Sequence, residues 1–181
     1  MTSVYFDNAA TTQKPLCVLD AQRQHTITHS ANVHRAAYPL AAEATQAYEQ
    51  AREQVAEFVG VNSDELTFTR GATEGINLIA YGLRGVIKKG DVILLSEQNH
   101  HANIVPWQFL AEWVGATIDV LTVDDQGRFD LIEFEEKLAR PAVKVCAVTH
   151  VLNVLGFEND VSRICSMARD HNVMTVVDGA Q

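Results

Sequence analysis

Cysteine is scarce in this sequence. Cys17, Cys146 and Cys165 are odd in number, widely spaced and form no CxxC pair. That excludes a disulfide framework and a thiolate metal ribbon. It fits a reducing compartment, with buried thiols expected at Cys146 and Cys165. Positive charge is also short: 14 Lys and Arg stand against 23 Asp and Glu, a formal net charge of −9. Such a surface repels phosphate backbones and anionic bilayers, so nucleic-acid and membrane-surface binding are excluded as classes. No apolar run approaches the roughly 20 residues needed to cross a bilayer. The opening MTSVYFDNAATTQKP has neither the basic flank nor the apolar segment of a secretory signal. Internal repeats, low-complexity tracts and Gly/Ser linkers are absent as well. These absences describe a cytoplasmic globular protein.

What is present is an alternation of apolar patterns. From Ala41 a helix carries Ala44, Tyr48, Ala51, Val55 and Phe58 at three- and four-residue steps and stops at Gly60. Strands are expected at 66–69, 92–96, 116–123, 143–149 and 173–178. Helices are expected at 72–83, over a stretch presenting Trp107, Leu110, Ala111 and Val114, and at 131–139 and 160–171. Strands as apolar as VKVCAVTH and VMTVVD need cover on both faces, which alternating helices provide in a mostly parallel sheet. The fold class is α/β, with helices on both faces of that sheet. The organisation expected is an arm and entrance segment over 1–40 followed by a sheet domain over 41–181. The last strand ends at the chain terminus without a covering helix, which reads as the N-terminal piece of something longer.

In open α/β sheets ligands gather at the carboxyl ends of strands, and there the unexplained polar residues collect. Arg70-Gly71-Ala72-Thr73-Glu74-Gly75 opens a helix with small residues and a hydroxyl, an arrangement suited to phosphate; a capped helix with a tight turn is the plainer reading. It is neither a GxGxxG nor a Walker motif. The adjacent His100 and His101 do not share a helix face, and His25 and His29 lack an HExxH context, so neither pair is read as a metal site. Thr149-His150-Val151-Leu152-Asn153 and Asp178-Gly179-Ala180-Gln181 follow two buried strands. An acid at such a strand end is either a cap or turn former or one half of a buried charge pair.

Taken in order, RGATEGIN, HHANIVPW, THVLNVLG and VVDGAQ resemble the cysteine desulfurases and selenocysteine lyases, within the class V aminotransferase group of fold-type I pyridoxal-phosphate enzymes. YFDNAATTQKP and NVHRAAYPLA fit the same family, and HHANIVPW with NVHR is similar to its group II branch. The resemblance covers the whole chain. It implies pyridoxal 5'-phosphate as cofactor, L-cysteine or L-selenocysteine as substrate, a homodimer, and a sulfur-acceptor protein in sulfur metabolism and iron–sulfur cluster assembly. Residue by residue, it implies that Ala72 and Thr73 bind the phosphate and that His100 lies flat on the pyridine ring, with His101 as a packing neighbour. Asp178 would pair with the ring nitrogen, and Gln181 with the phenolic oxygen. Asn153 would reach that edge and the substrate carboxylate. Asn8, Ala9, Ala10, His34 and Arg35 would line the substrate entrance.

Two parts of the family pattern have no match. The Schiff-base lysine follows the aspartate motif in the family, whereas the lysines here are Lys14, Lys88, Lys89, Lys137 and Lys144. Lys88 and Lys89 read as a solvated helix end, Lys137 as part of a polar helix face and Lys14 as a helix-entry residue. The persulfide-forming cysteine and the substrate-holding arginine also lie later in the family. The 181-residue chain alone is therefore expected to be inactive. Rival readings are another class V enzyme (an epimerase, kynureninase or transaminase) or a catalytically dead fragment that acts as a binding module.

Overall fold

Four short apolar segments, Val92–Ser96 (β1), Thr117–Leu121 (β2), Val143–Thr149 (β3) and Met174–Asp178 (β4), pair as parallel strands in the order β2-β1-β3-β4. They belong to a computed structural model that describes residues 4–124, 126–128 and 130–181. Its contacts group the chain into two units, Met1–Phe68 and Thr69–Gln181. The sheet forms the second unit with helices α3 (Ala72–Gly82), α4 (Val105–Val114), α5 (Leu131–Leu138) and α6 (Val161–Asp170).

Alternation along the strands assigns the two faces. Ile93, Leu95, Val145 and Ala147 join a cluster with Ile76 and Ala80 of α3 and Trp107, Leu110 and Ala111 of α4. Leu94, Cys146 and Val148 join the opposite cluster with Phe134 and Leu138 of α5 and Ile164 and Ala168 of α6. Both faces are covered, which is why the strands read as continuous apolar runs. Each fully buried Leu, Ile or Phe contributes about 1.5–3 kcal/mol from area removed from water. Asp130 and Asp160 cap α5 and α6 by accepting from the backbone N–H groups of Ile132 and Arg163. No helix among the described residues is long and apolar enough to cross a membrane.

The Met1–Phe68 unit holds α1 (Leu16–Thr28) and α2 (Pro39–Val59). Helix α2 ends where expected, with Gly60 in the left-handed region at φ 76°. Its buried face is displaced from the stripe expected. Ala41, Ala44 and Ala56 are buried and Tyr48 half-buried, while Ala51, Val55 and Phe58 are exposed. The stripe steps forward by one residue because Arg52 lies over both the Tyr48 and Phe68 rings, each centroid 5.2 Å away. The strand expected over 66–69 does not form among the described residues. There the Leu66 carbonyl accepts from the Arg52 guanidinium, so a side chain takes the place of a ladder partner.

Candidate functional site

Three adjacent parallel strands, β1, β3 and β4, end together, and the chain leaves each of them through a polar segment. From β1 it reaches His100, from β3 Asn153 and from β4 Gln181. Thr149 and Asp178 are direct partners in the β3–β4 register, and the His150 N–H donates to the Asp178 carbonyl at 2.9 Å.

Asp178 is only 5% exposed, yet its carboxylate accepts one backbone N–H, from Ala180 at 3.1 Å, and has no cation within ion-pair reach among the described residues. A buried carboxylate with one N–H is under-compensated. A protonated ring nitrogen is the kind of group that would complete it. Gln181 lies three residues on, exposed, as is Asn153.

His100 begins the short 3-10 turn His101–Asn103. Its Nδ1 accepts the Ala102 backbone N–H at 3.1 Å, which assigns the ring hydrogen of neutral His100 to Nε2. The His101 ring stands edge-on to it, centroids 6.2 Å apart and planes at 72°. His100 is exposed, so its ring is open to a flat ligand.

Helix α3 packs against the His101–Asn103 turn. Gly71 precedes it at φ 155°, a conformation that favours glycine, and no side chain caps the helix. The first-turn N–H groups at Ala72 and Thr73 have no intrahelical acceptor by the geometry of helix starts. The Glu74 carboxylate turns back to accept the Arg70 N–H at 2.6 Å. Thr69 Oγ1 donates to the Gly71 carbonyl at 3.1 Å.

Ala72, Thr73, His100, Asn153, Asp178 and Gln181 all belong to the Thr69–Gln181 unit. Asn8, Ala9, Ala10, His34 and Arg35 fall in the Met1–Phe68 unit. Asn8, Ala9 and Ala10 form an exposed turn in which the Asn8 carbonyl accepts from Thr12 Oγ1 at 3.1 Å. His34 sits at a positive φ of 67°, pairs with Glu49 at 3.2 Å and meets the Tyr48 ring edge-on. Arg35 is exposed.

Lysine placement is uneven. Lys88 and Lys89 precede β1, and Lys144 is the second residue of β3 with its Nζ donating to the Pro141 carbonyl at 2.7 Å; all three are at the amino ends of the strands. Lys137 is not simply on a polar helix face: 18% exposed, its Nζ is bound by Asp119 at 2.9 Å and Glu133 at 3.0 Å. Burial would pull its pKa down, but those carboxylates outweigh burial and raise it. Of the cysteines, Cys146 is buried and its thiol is pushed up to about 12, chiefly by desolvation. Cys165 is half-buried rather than buried, and Cys17 is exposed on α1.

Three buried asparagines and a threonine, given no role in the sequence reading, form a hydrogen-bonded layer around the ends of β1 and β3. Asn99 donates to the Ala147 carbonyl at 2.8 Å and to that of Asn103 at 3.3 Å, and accepts from Thr149 Oγ1 at 3.1 Å. Asn103 donates to the Val148 carbonyl at 3.3 Å and accepts from Trp107 Nε1 at 2.9 Å. Asn159 donates to the Thr149 carbonyl at 2.8 Å. The available signal was Asn99 and Asn103, four residues apart across the histidine pair, in a segment whose other residues are mostly apolar.

Residues 4–181 match the family described as aminotransferase class-V. Over 180 residues the chain is 46% identical to a probable cysteine desulfurase of Vibrio cholerae, covering 98% of this chain and 44% of that protein. A probable cysteine desulfurase of Pyrococcus abyssi is 39% identical over 178 residues, again covering 98% of this chain and 44% of the relative. The apo structure of a cysteine desulfurase from Thermococcus onnurineus superposes with a TM-score of 0.94 at 38% identity, covering 98% of this chain and 44% of that one. The chain spans less than half the length of these relatives.

Proposed function

The chain belongs to the class-V aminotransferase family, and from that premise we propose that it forms the cofactor-cradling part of a pyridoxal-phosphate-dependent cysteine desulfurase. The whole protein would take L-cysteine, or L-selenocysteine, to L-alanine and pass the sulfur through an enzyme persulfide to an acceptor protein, as a cytoplasmic homodimer. One observation carries the reading: a 5%-exposed carboxylate without a cation among the described residues, at the carboxyl end of β4.

The residues of this chain fit the group. The N–H groups at Ala72 and Thr73 and the Thr73 hydroxyl would hold the phosphate at the positive end of α3. The His100 imidazole would lie against the ring, oriented by the Ala102 N–H. Asp178 would hold a proton on the ring nitrogen, and Gln181 and Asn153 would bind the phenolic edge. The bound cofactor supplies an electron sink, and Asp178 keeps that sink charged. Asn8, Ala9, Ala10, His34 and Arg35 would serve the substrate entrance. The reducing compartment is supported by three free thiols that form no CxxC pair.

The lysines of the sheet unit are at strand amino ends or held in ion pairs, so this chain binds the cofactor without a specific covalent link. Titration with pyridoxal phosphate is expected to give saturable binding that Asp178→Ala weakens. Borohydride should label only sparsely, scattered over lysines such as Lys88 and Lys89, and L-cysteine should yield no catalytic alanine. Stoichiometric labelling of one lysine, or binding indifferent to Asp178→Ala, would contradict the reading.

A further inference from the structure

We propose that Asn99 is the positioning residue of the His100 platform, tying the loop that carries the imidazole to the strand beside Asp178; the inference rests on the cofactor cradle proposed above. Asn99 is 7% exposed and immediately precedes His100. Both of its amide hydrogens are used, one toward Ala147 of β3 at 2.8 Å and one toward Asn103 at 3.3 Å. Its carbonyl oxygen accepts the Thr149 hydroxyl at 3.1 Å. One side chain therefore makes two contacts to β3 and closes its own loop at Asn103.

The residue type follows from the partners. Two carbonyls must receive hydrogens and one hydroxyl must give its own, which only a carboxamide satisfies at once. Aspartate would face the Ala147 and Asn103 carbonyls with no hydrogen to donate. Glutamine would carry the amide one methylene too far. A buried network satisfied in this way fixes geometry, and removing one member leaves the others unpaired.

Two links run from Asn99 to the site. Along the chain it sets the entry of His100, whose Nδ1 then takes the Ala102 N–H at 3.1 Å. Across the sheet it holds Thr149, the register partner of Asp178. The face offered to the ring and the acid offered to its nitrogen are thereby referred to the same strand, as supporting hydrogen bonds do for precise sites.

The test uses the full chain labelled with nitrogen-15. In the unaltered chain the His100 ring nitrogens should give the widely separated signals of a fixed Nε2–H tautomer, and the Ala102 amide should exchange slowly. In Asn99→Leu and in Thr149→Val the two ring signals should move toward an average and Ala102 exchange should accelerate, while the amides of Leu95 and Val145 stay protected. Thr149→Ser, which keeps the hydroxyl, should restore the signature. Pyridoxal phosphate affinity should fall roughly tenfold in Thr149→Val, the size of one lost hydrogen bond, and hold in Thr149→Ser. If Asn99→Leu fails to fold, Thr149→Val decides. An unchanged His100 signature in the folded variants, or loss of protection throughout the core, overturns the positioning role. Failure of the unaltered chain to bind pyridoxal phosphate instead overturns the cradle reading, while the ring signals still decide the role of Asn99.

Discussion

Ser96 and Thr149 each end a buried strand with a hydroxyl, and their surroundings give the two opposite consequences. Ser96 is 1% exposed and its Oγ has no partner among the described residues. The Thr149 hydroxyl is 3.1 Å from Asn99 Oδ1. Removing an unpaired buried hydroxyl relieves a desolvation cost, whereas removing a paired one strands its partner. Ser96→Ala is therefore expected to leave stability unchanged or raise it by up to about 1 kcal/mol, and Thr149→Val to lower it by about 1–2 kcal/mol. Urea denaturation of both variants checks the contrast; equal losses would mean that Ser96 has a partner. Cys146 makes a further residue-scale prediction. Burial raises its thiol to about 12, so at neutral pH it should resist a thiol reagent in the folded chain, while exposed Cys17 reacts. Mass spectrometry of the modified peptides separates the two.

Between β2 and α5, single charges act as a unit. Asp119 pairs with Arg140 and with Lys137, and Lys137 also pairs with Glu133. Partial burial would push the Asp119 carboxyl up, but hydrogen bonds from Arg140 and Lys137 outweigh it and hold it below the usual 3.8. A carboxyl depressed on folding stabilises above its unfolded value and loses that contribution as pH falls through the folded one. Lys137 is shifted the other way, above 10.5, so its contribution is complete below that value and disappears as pH rises through the folded one. The cluster is thus constant at neutral pH and fails at both extremes. Asp119→Asn should cost about 1 kcal/mol at neutral pH and flatten the acid limb of a stability–pH profile; an unaltered acid limb would remove Asp119 as a contributor. The same scale explains which elements were legible. β1 and β3 form where their apolar runs placed them, because both faces of those strands are covered. The segment 66–69 has a strand-like composition, but the Arg52 side chain, fourteen residues back, takes its Leu66 carbonyl. The stripe of α2 shifted for a related reason, since a cation stacked on Tyr48 counts as polar in a pattern and as packing in space.

In the molecule as a whole, the strand ends from which His100, Asn153, Asp178 and Gln181 follow were legible in the sequence, and β1, β3 and β4 end side by side; the roles proposed for those residues and for Ala72 and Thr73 stay proposals. The support of those strand ends was not legible. Asn99 and Thr149 lie fifty residues apart in sequence, and only the crossover that seats β3 beside β1 brings them together. Surface chemistry, likewise hidden in the pattern, leads to the last prediction. On α3 and α4, Leu78, Tyr81, Phe109 and Trp113 are 54%, 65%, 64% and 63% exposed. Arg84 stacks on the Tyr81 ring at 4.8 Å with a buried Nε that has no acceptor among the described residues. Among the described strands β4 is an edge, with Met174 and Val177 44% and 38% exposed and no lysine or proline to blunt it. Contiguous apolar surface of this kind drives association, and an open strand edge templates it. The chain should therefore self-associate, its mass by light scattering rising with concentration. Phe109→Ser with Trp113→Ser should reduce this if the helical face dominates, and Val177→Lys if the edge does. A monomeric mass held over a wide concentration range would show that neither surface associates.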